Sequence, residues 1–220
     1  MNLSDNFQAQ RRQVIEACLQ LAEQGFLAGT GGNVALRLDD EHFAVTPSAA
    51  DYYTLTPANI AVLRLLDLKQ VAGDLPPSVE SALHATLLRA KPAMHGSVHT
   101  HQPLASAVGL IDAPLASTDA ADGAELGRLV SIVGYAPSGT HLLVSALRRQ
   151  IKADVHAYLL RNHGLICAAP SLEEAVSLVR RIEHAAAAWL HQQALRLPAD
   201  HALRQLAIGA LCAVPGPGTP

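Results

Sequence analysis

Apolar residues recur at helical spacing over residues 4–24, where Val14, Ile15, Cys18, Leu21 and Ala22 share one face and Gly25 stops the run. A glycine-rich turn at 29–33 leads into alternation over 34–38, which predicts a strand. Polar residues 39–41 turn the chain, and 43–46 pair back as a hairpin. A loop at 47–51 and a turn of helix near 57–59 precede a strand over 60–66. Gly73, Pro76 and Pro77 break the pattern. Ser78 then reads as the N-cap of a helix reaching 90, with Leu83, Leu87 and Leu88 inward. A strand at 97–101 and a short helix to 108 follow, and 110–120 shows no clear period. Beyond it the pattern predicts a helix at 124–129, a strand at 130–133, a loop at 134–140 and a helix to 151. Strands at 155–160 and 164–168 come next. Ser171 and Glu174 form a capping box opening a long helix, with Leu172, Ala175, Val176, Val179, Ile182, Ala186 and Trp189 as its inner stripe. A last helix is expected at 200–211. Strands and helices interleave and some strands adjoin through hairpins, so the expected architecture is a mixed sheet with helices on its faces.

Composition narrows the class. At 220 residues, one domain over 1–212 is expected, followed by a flexible Pro/Gly-rich tail at 213–220. Low aromatic content, 4%, beside abundant Ala and Leu suits a helix-rich soluble protein. The net charge of −3 is not concentrated, and no stretch is strongly basic, which argues against a nucleic-acid partner. No run of about 18 apolar residues predicts a membrane span. The polar start, with Arg11 and Arg12 and no apolar core after them, does not read as a signal peptide. Cys18, Cys167 and Cys212 are far apart and odd in number. They read as small buried apolar residues in a reducing, cytoplasmic setting.

Candidate chemistry gathers on three histidines and a glutamate. His99 and His101 stand two apart on an expected strand, so both side chains point to one face and can share an ion. His163 follows a strand and precedes Gly164, where a side chain leaves a sheet edge. Three imidazoles with an open position are a common catalytic metal set. Glu80 sits at the expected start of a helix. There the helix dipole alone favours a carboxylate, while a general base or fourth metal ligand is the chemical alternative. His84 lies on the same helix face four residues later. The remaining histidines, His42, His95, His141, His156, His184, His191 and His201, read as surface or turn residues. Small polar loops at 29–33, 46–49 and 76–78 have turn chemistry, and their backbone N–H groups can hold an anion. No P-loop or Rossmann fingerprint is present.

These motifs occur in a telling order: Gly-Thr-Gly-Gly-Asn-Val (29–34), Val-Thr-Pro-Ser (45–48), Pro-Ser-Val-Glu (77–80) with Leu83 and His84, Val-His-Thr-His (98–101), and Leu-Arg-Asn-His-Gly (160–164) before a long helix. The series resembles the class II aldolase/adducin family from about residue 10 to 195. The resemblance implies a three-layer α/β/α sandwich around a mixed, largely antiparallel central sheet, in a homotetramer with sites between subunits. It implies zinc, or manganese as the alternative, on His99, His101 and His163. Glu80 matches the family's catalytic acid/base. Gly32, Asn33, Ser48 and Ser78 match positions that hold the substrate's phosphate in the sugar-phosphate aldolases.

Three departures bear on the reaction. Ala49 replaces a glycine in the second loop, and Val79 replaces a hydroxyl in the third. Both argue against a tightly held phosphate. A catalytic tyrosine about twenty residues after the histidine pair is missing: ungapped counting reaches Ala120, Tyr135 belongs to another motif, and Asp119 and Asp122 are the nearby polar groups. The expected activity is a metal-dependent lyase that cleaves a carbon–carbon bond of a small sugar-like hydroxy-carbonyl substrate through a metal-stabilised enolate. Decarboxylation of a hydroxy or aromatic acid, dehydration, and a non-catalytic adducin-like binding module are the alternatives.

Overall fold

The computed structural model describes residues 7–27, 31–111, 115 and 130–213. Its frame is one eight-stranded sheet, in the order β4-β3-β2-β1-β5-β8-β7-β6. The strands are β1 (Asn33–Arg37), β2 (His42–Val45), β3 (Ala61–Arg64), β4 (Gln70–Ala72), β5 (Gly96–Thr100), β6 (Ser131–Val133), β7 (Ala157–Leu160) and β8 (Gly164–Ala169). All neighbours run antiparallel except β6 and β7, which are parallel. The helices are α1 (Gln8–Glu23), α2 (Ser81–Ala90), α3 (Pro103–Leu110), α4 (His141–Gln150), α5 (Leu172–Arg196) and α6 (Ala202–Ala213).

Alternation along the strands divides the core between two faces. Val34, Val98, Leu159, Leu165 and Cys167 meet α1, α3 and α5. Their neighbours Tyr158, Leu160, Ile166 and Ala168 meet Leu83 and Leu87 of α2 and Leu143 and Leu147 of α4. Ala35, Phe43, Val45 and Leu63 meet Ala85 and Leu88 of α2. Helices therefore cover both faces, which explains why the central strands are buried along their length. The mixed, largely antiparallel three-layer sandwich is the expected fold.

The differences from expectation are local. Helix α2 starts at Ser81, and Glu80, not Ser78, occupies the N-cap position. The chain from Pro76 to Ser78 is instead held by Thr46 and Ser48, through Ser48 N–H to Pro76 O and Ser78 N–H to Thr46 O, each 3.0 Å. This leaves no slack for an earlier helical turn. β3 is shorter than the expected 60–66, because Leu65 N–H bonds Glu41 O and the chain turns into β4, an edge strand too short to show a period. β7 begins at Ala157, two residues after the expected start. In α5 the inner stripe passes through Leu190, while Trp189 is half-buried. Cys18 and Cys167 are buried as expected, but Cys212 is exposed on the outer side of α6. The expected helix at 124–129, Asp119, Ala120 and Asp122, Gly29 and Thr30, and the tail from 214 lie outside the described residues. Among the described residues, no helix is long and apolar enough to cross a membrane.

Candidate metal centre

Four chain segments converge at one end of the sheet. In the β1–β5 register Asn33 faces His99. In the β5–β8 register His99 faces Ile166 and Thr100 faces Leu165. Because Val98 points to the α5 side, Ser97 and His99 point to the α2 side. His101 lies one residue beyond β5, so its ring leaves the end of the strand while keeping that side. His163 sits in the tight turn between β7 and β8, after Asn162 in the left-handed region at φ 55°, a backbone state that asparagine tolerates better than most residues. Gly164 then passes so close to β5 that a Cβ there would stand 2.8 Å from His101 Cδ2 and nearer still to Thr100 O. Only glycine lets the two histidine-bearing segments touch.

The three rings form a triangle, with centroids 4.8 Å apart for His99–His101 and His99–His163 and 5.1 Å for His101–His163. Glu80 closes it: Oε2 lies 3.2 Å from His99 Nε2, and Oε1 lies 3.0 Å from His163 Nε2. Ligand atoms from Glu80, His99, His101 and His163 all lie within 4.8 Å of one another. Glu80 makes no cap bond to its own helix; its carboxylate is turned into the histidine cluster. The helix-dipole explanation therefore does not account for where it points.

Protonation states suit a cation. His99 Nδ1 donates to Leu165 O at 2.8 Å, which turns Nε2 inward, 3.0 Å from His101 Nε2 and 3.2 Å from Glu80 Oε2. Burial, then the neighbouring His99 and His163, pushes His101 down to about 4, so its ring is neutral at physiological pH. Burial of Glu80 favours its acid form, but hydrogen bonds from His163 and His99, with Ser138, hold its carboxyl well below the usual range. Three imidazoles and a carboxylate crowd one point, with His99, Glu80 and His163 shielded and His101 open to solvent. That donor set fits a divalent ion with one accessible position.

Of the expected loop residues, Asn33 and Ser78 contact Glu80 and Gly32 packs against His99, whereas Ser48 is hydrogen-bonded to Pro76. Val34 and Thr46 tie the first loop to the second, through Val34 N–H to Thr46 Oγ1 at 3.2 Å and Thr46 N–H to Val34 O at 3.1 Å. A bridge between Pro47 and Pro77 ties the second to the third. Ser78 Oγ accepts from Glu80 N–H at 3.2 Å. Gly32, at φ +88°, lies where a Cβ would come 2.8 Å from His99 O. Asn33 is not a free arm: its Nδ2 donates to Glu80 Oε2 at 2.8 Å, and its Oδ1 is 2.6 Å from His84 Nε2.

Sequence reasoning missed three contributors. Ser138 Oγ donates to Glu80 Oε1 at 2.7 Å from the loop before α4. Tyr52 OH donates to Gly32 O at 2.7 Å and fixes the first loop. Ser97 reaches His84 at 2.7 Å. Only Ser97 carried a signal, because it shares strand parity with His99.

The fold and this cluster together describe an α/β/α sandwich with a Glu/His site that could hold a divalent ion. The sequence matches the Class II Aldolase and Adducin N-terminal domain over residues 12–190, and the chain belongs to that family. It is 30% identical over 187 residues to the L-fuculose phosphate aldolase of Escherichia coli O6:H1, covering 85% of each chain. It is 28% identical over 184 residues to the methylthioribulose-1-phosphate dehydratase of Serratia proteamaculans, covering 76% of this chain and 86% of that one. Among solved structures, an L-fuculose 1-phosphate aldolase superposes with a TM-score of 0.77 at 23% identity, covering 90% of this chain and 94% of the other.

Proposed function

We propose that this chain is a divalent-metal-dependent lyase that breaks a carbon–carbon bond in a small hydroxy-carbonyl substrate by aldol-type chemistry. The observation that carries the reading is the convergence of His99, His101 and His163 on the carboxylate of Glu80 within 4.8 Å. The 30% identity to a sugar-phosphate aldolase over most of both chains supports it.

Cleavage leaves negative charge on an oxygen of one fragment. A divalent ion on His99, His101 and His163, zinc first and manganese as the alternative, would supply Lewis-acid stabilisation of that charge. Glu80, a carboxylate at rest, takes the proton that the substrate hydroxyl gives up as the carbon–carbon bond breaks, and returns it to the carbon from which the bond has broken. Held by Asn33 on one oxygen and Ser138 on the other, it has little freedom to misalign. Gly32, Ser48 and Ser78 hold the far end of the substrate, and the Asn33 amide is committed within the protein. Exposed Val79, Tyr135 and Leu142 lie on the segments around Glu80 and support a homotetramer with sites between subunits. A cytoplasmic role in carbohydrate metabolism follows from the same reading.

The test is metal analysis of the purified protein combined with an assay of aldehyde release from L-fuculose 1-phosphate and related ketose 1-phosphates. Glu80→Gln should lower the rate by about 10²–10⁴-fold, the range for losing a general acid/base. His99→Ala should lose the ion. Metal-free parent protein, or Glu80→Gln at the parental rate, refutes the reading. The dehydratase relative favours a second outcome, loss of water without cleavage; product analysis separates the two.

A further inference from the structure

A buried string of polar groups runs behind Glu80, and catalysis as proposed above does not need all of it. Ser97 on β5, His84 on α2 and Asn33 on β1 come from three elements, and their side chains meet in the protein interior. Ser97 and His84 are fully buried and Asn33 is 5% exposed. His84 Nδ1 lies 2.7 Å from Ser97 Oγ, His84 Nε2 lies 2.6 Å from Asn33 Oδ1, and Asn33 Nδ2 lies 2.8 Å from Glu80 Oε2.

The chemistry of each group allows one consistent assignment. A carboxylate only accepts, so the Asn33 amide must turn its NH₂ toward Glu80 and its oxygen toward His84. His84 Nε2 must then carry the proton. Burial pushes His84 down to about 3, with His99 adding to it and Glu80 opposing, so the ring has one proton and Nδ1 is an acceptor. Ser97 Oγ–H fills that acceptor. The direction of the string is set by the Glu80 carboxylate, which can only accept, and Ser97 completes it by donating to His84 Nδ1.

We infer that His84, oriented by Ser97, is a positioning residue: it locks the Asn33 amide so that Asn33 holds Glu80 Oε2 against the Nε2 atoms of the histidine cluster. Asn33 then acts on Glu80 and not on the substrate, which departs from the role implied by its place in the glycine-rich loop. Without Ser97, His84 Nδ1 loses its donor and the ring its second anchor, so the Asn33 amide is held less firmly and Glu80 Oε2 gains freedom beside His99.

This inference rests on the proposed metal site, so one arm of the test is independent of metal and of substrate. In metal-free full-length protein, side-chain ¹⁵N NMR should show His84 as the neutral Nε2–H tautomer, and Ser97→Ala should shift the His84 Nδ1 resonance by removing the hydrogen bond it accepts. An Nδ1–H tautomer in the parent, or no change in Ser97→Ala, overturns the inference whatever the metal does. The second arm titrates the parent and variants with Co²⁺ alone. His84→Phe and Ser97→Ala should weaken Co²⁺ binding by about 10–100-fold and shift its visible absorption, whereas parental affinity and spectrum in Ser97→Ala would overturn the inference. If His84→Phe does not fold, Ser97→Ala decides. Failure of the parent to bind Co²⁺ counts against the metal reading alone, and the tautomer then decides this one.

Discussion

At the scale of single residues, Ala49 shows how a substitution can keep a loop's shape while changing its cost. Ala49 stands where the resemblance has a glycine, which argues against a tightly held phosphate. In the structure Ala49 adopts φ 52°, the left-handed conformation that glycine takes freely, and its side chain is exposed. The loop conformation is retained, and alanine carries local strain of about 1–2 kcal/mol relative to a right-handed backbone. Ala49→Gly relieves that strain but widens the unfolded ensemble, which returns about 0.4–1 kcal/mol. The expected net is about 0.5–1 kcal/mol of added stability. It is read as a higher urea midpoint at unchanged slope. An unchanged or lower midpoint would mean that the methyl makes a stabilising contact. Glu80 is the contrasting residue: its identity was legible, but its orientation was not. That orientation is set by Asn33, His99, Ser138 and His163, which lie 19 to 83 residues away in the chain.

Between elements, the informative contact is Glu183. It lies within α5 four residues after Val179 and three before Ala186, on the apolar stripe, so a carboxylate is buried there. Its two oxygens accept the N–H groups of Leu104 and Ala105, each at 2.8 Å. Those N–H groups belong to the first turn of α3, where no intrahelical acceptor exists and negative charge is favoured. α5 thus supplies the cap that α3 lacks: its own N-cap residue, Gln102, makes no cap bond with its side chain and instead donates to Val179 O of α5 at 3.2 Å. The contact also anchors the chain immediately after His101. Burial pushes the Glu183 carboxyl up, against the lowering effect of Ala105, Leu104 and His184. A raised folded-state value means the native state binds the proton more readily than the unfolded chain. The contribution of this ionisation to stability is therefore full below the ordinary value of 4.5 and is lost as pH rises through the higher folded value. Glu183→Gln removes the titration and leaves one of two N–H groups facing an NH₂, at a cost of about 1–3 kcal/mol. Urea titrations should show its deficit relative to the parent widening as pH falls from 7 toward 4.5. A gap that narrows on acidification would contradict the assignment.

At the scale of the whole molecule, the layers were legible because strands of period two and helices of period 3.6 alternate along the chain. The short edge strand β4 was not, since three residues show no period. The metal ligands were legible as residue types at suggestive spacing, His99 and His101 by parity and His163 by its turn. Their convergence depends on pairing β1, β5 and β8, which no local pattern specifies. The same topology makes a prediction about the molecule as a unit. The cluster joins the end of β5, the β7–β8 turn and the N-terminus of α2, so an ion that binds there binds only the folded chain. At about 1,000 times its dissociation constant such an ion stabilises the fold by about 4 kcal/mol. In a chain of this length each kcal/mol moves the melting temperature by about 2–4 °C. Chelation followed by dialysis should therefore lower the melting temperature by roughly 10 °C, and restoring the ion should reverse it. His99→Ala should melt at the same temperature with and without added Zn²⁺. Equal melting temperatures for the chelated and metal-loaded parent would show that these four side chains form a polar cluster that folds without an ion.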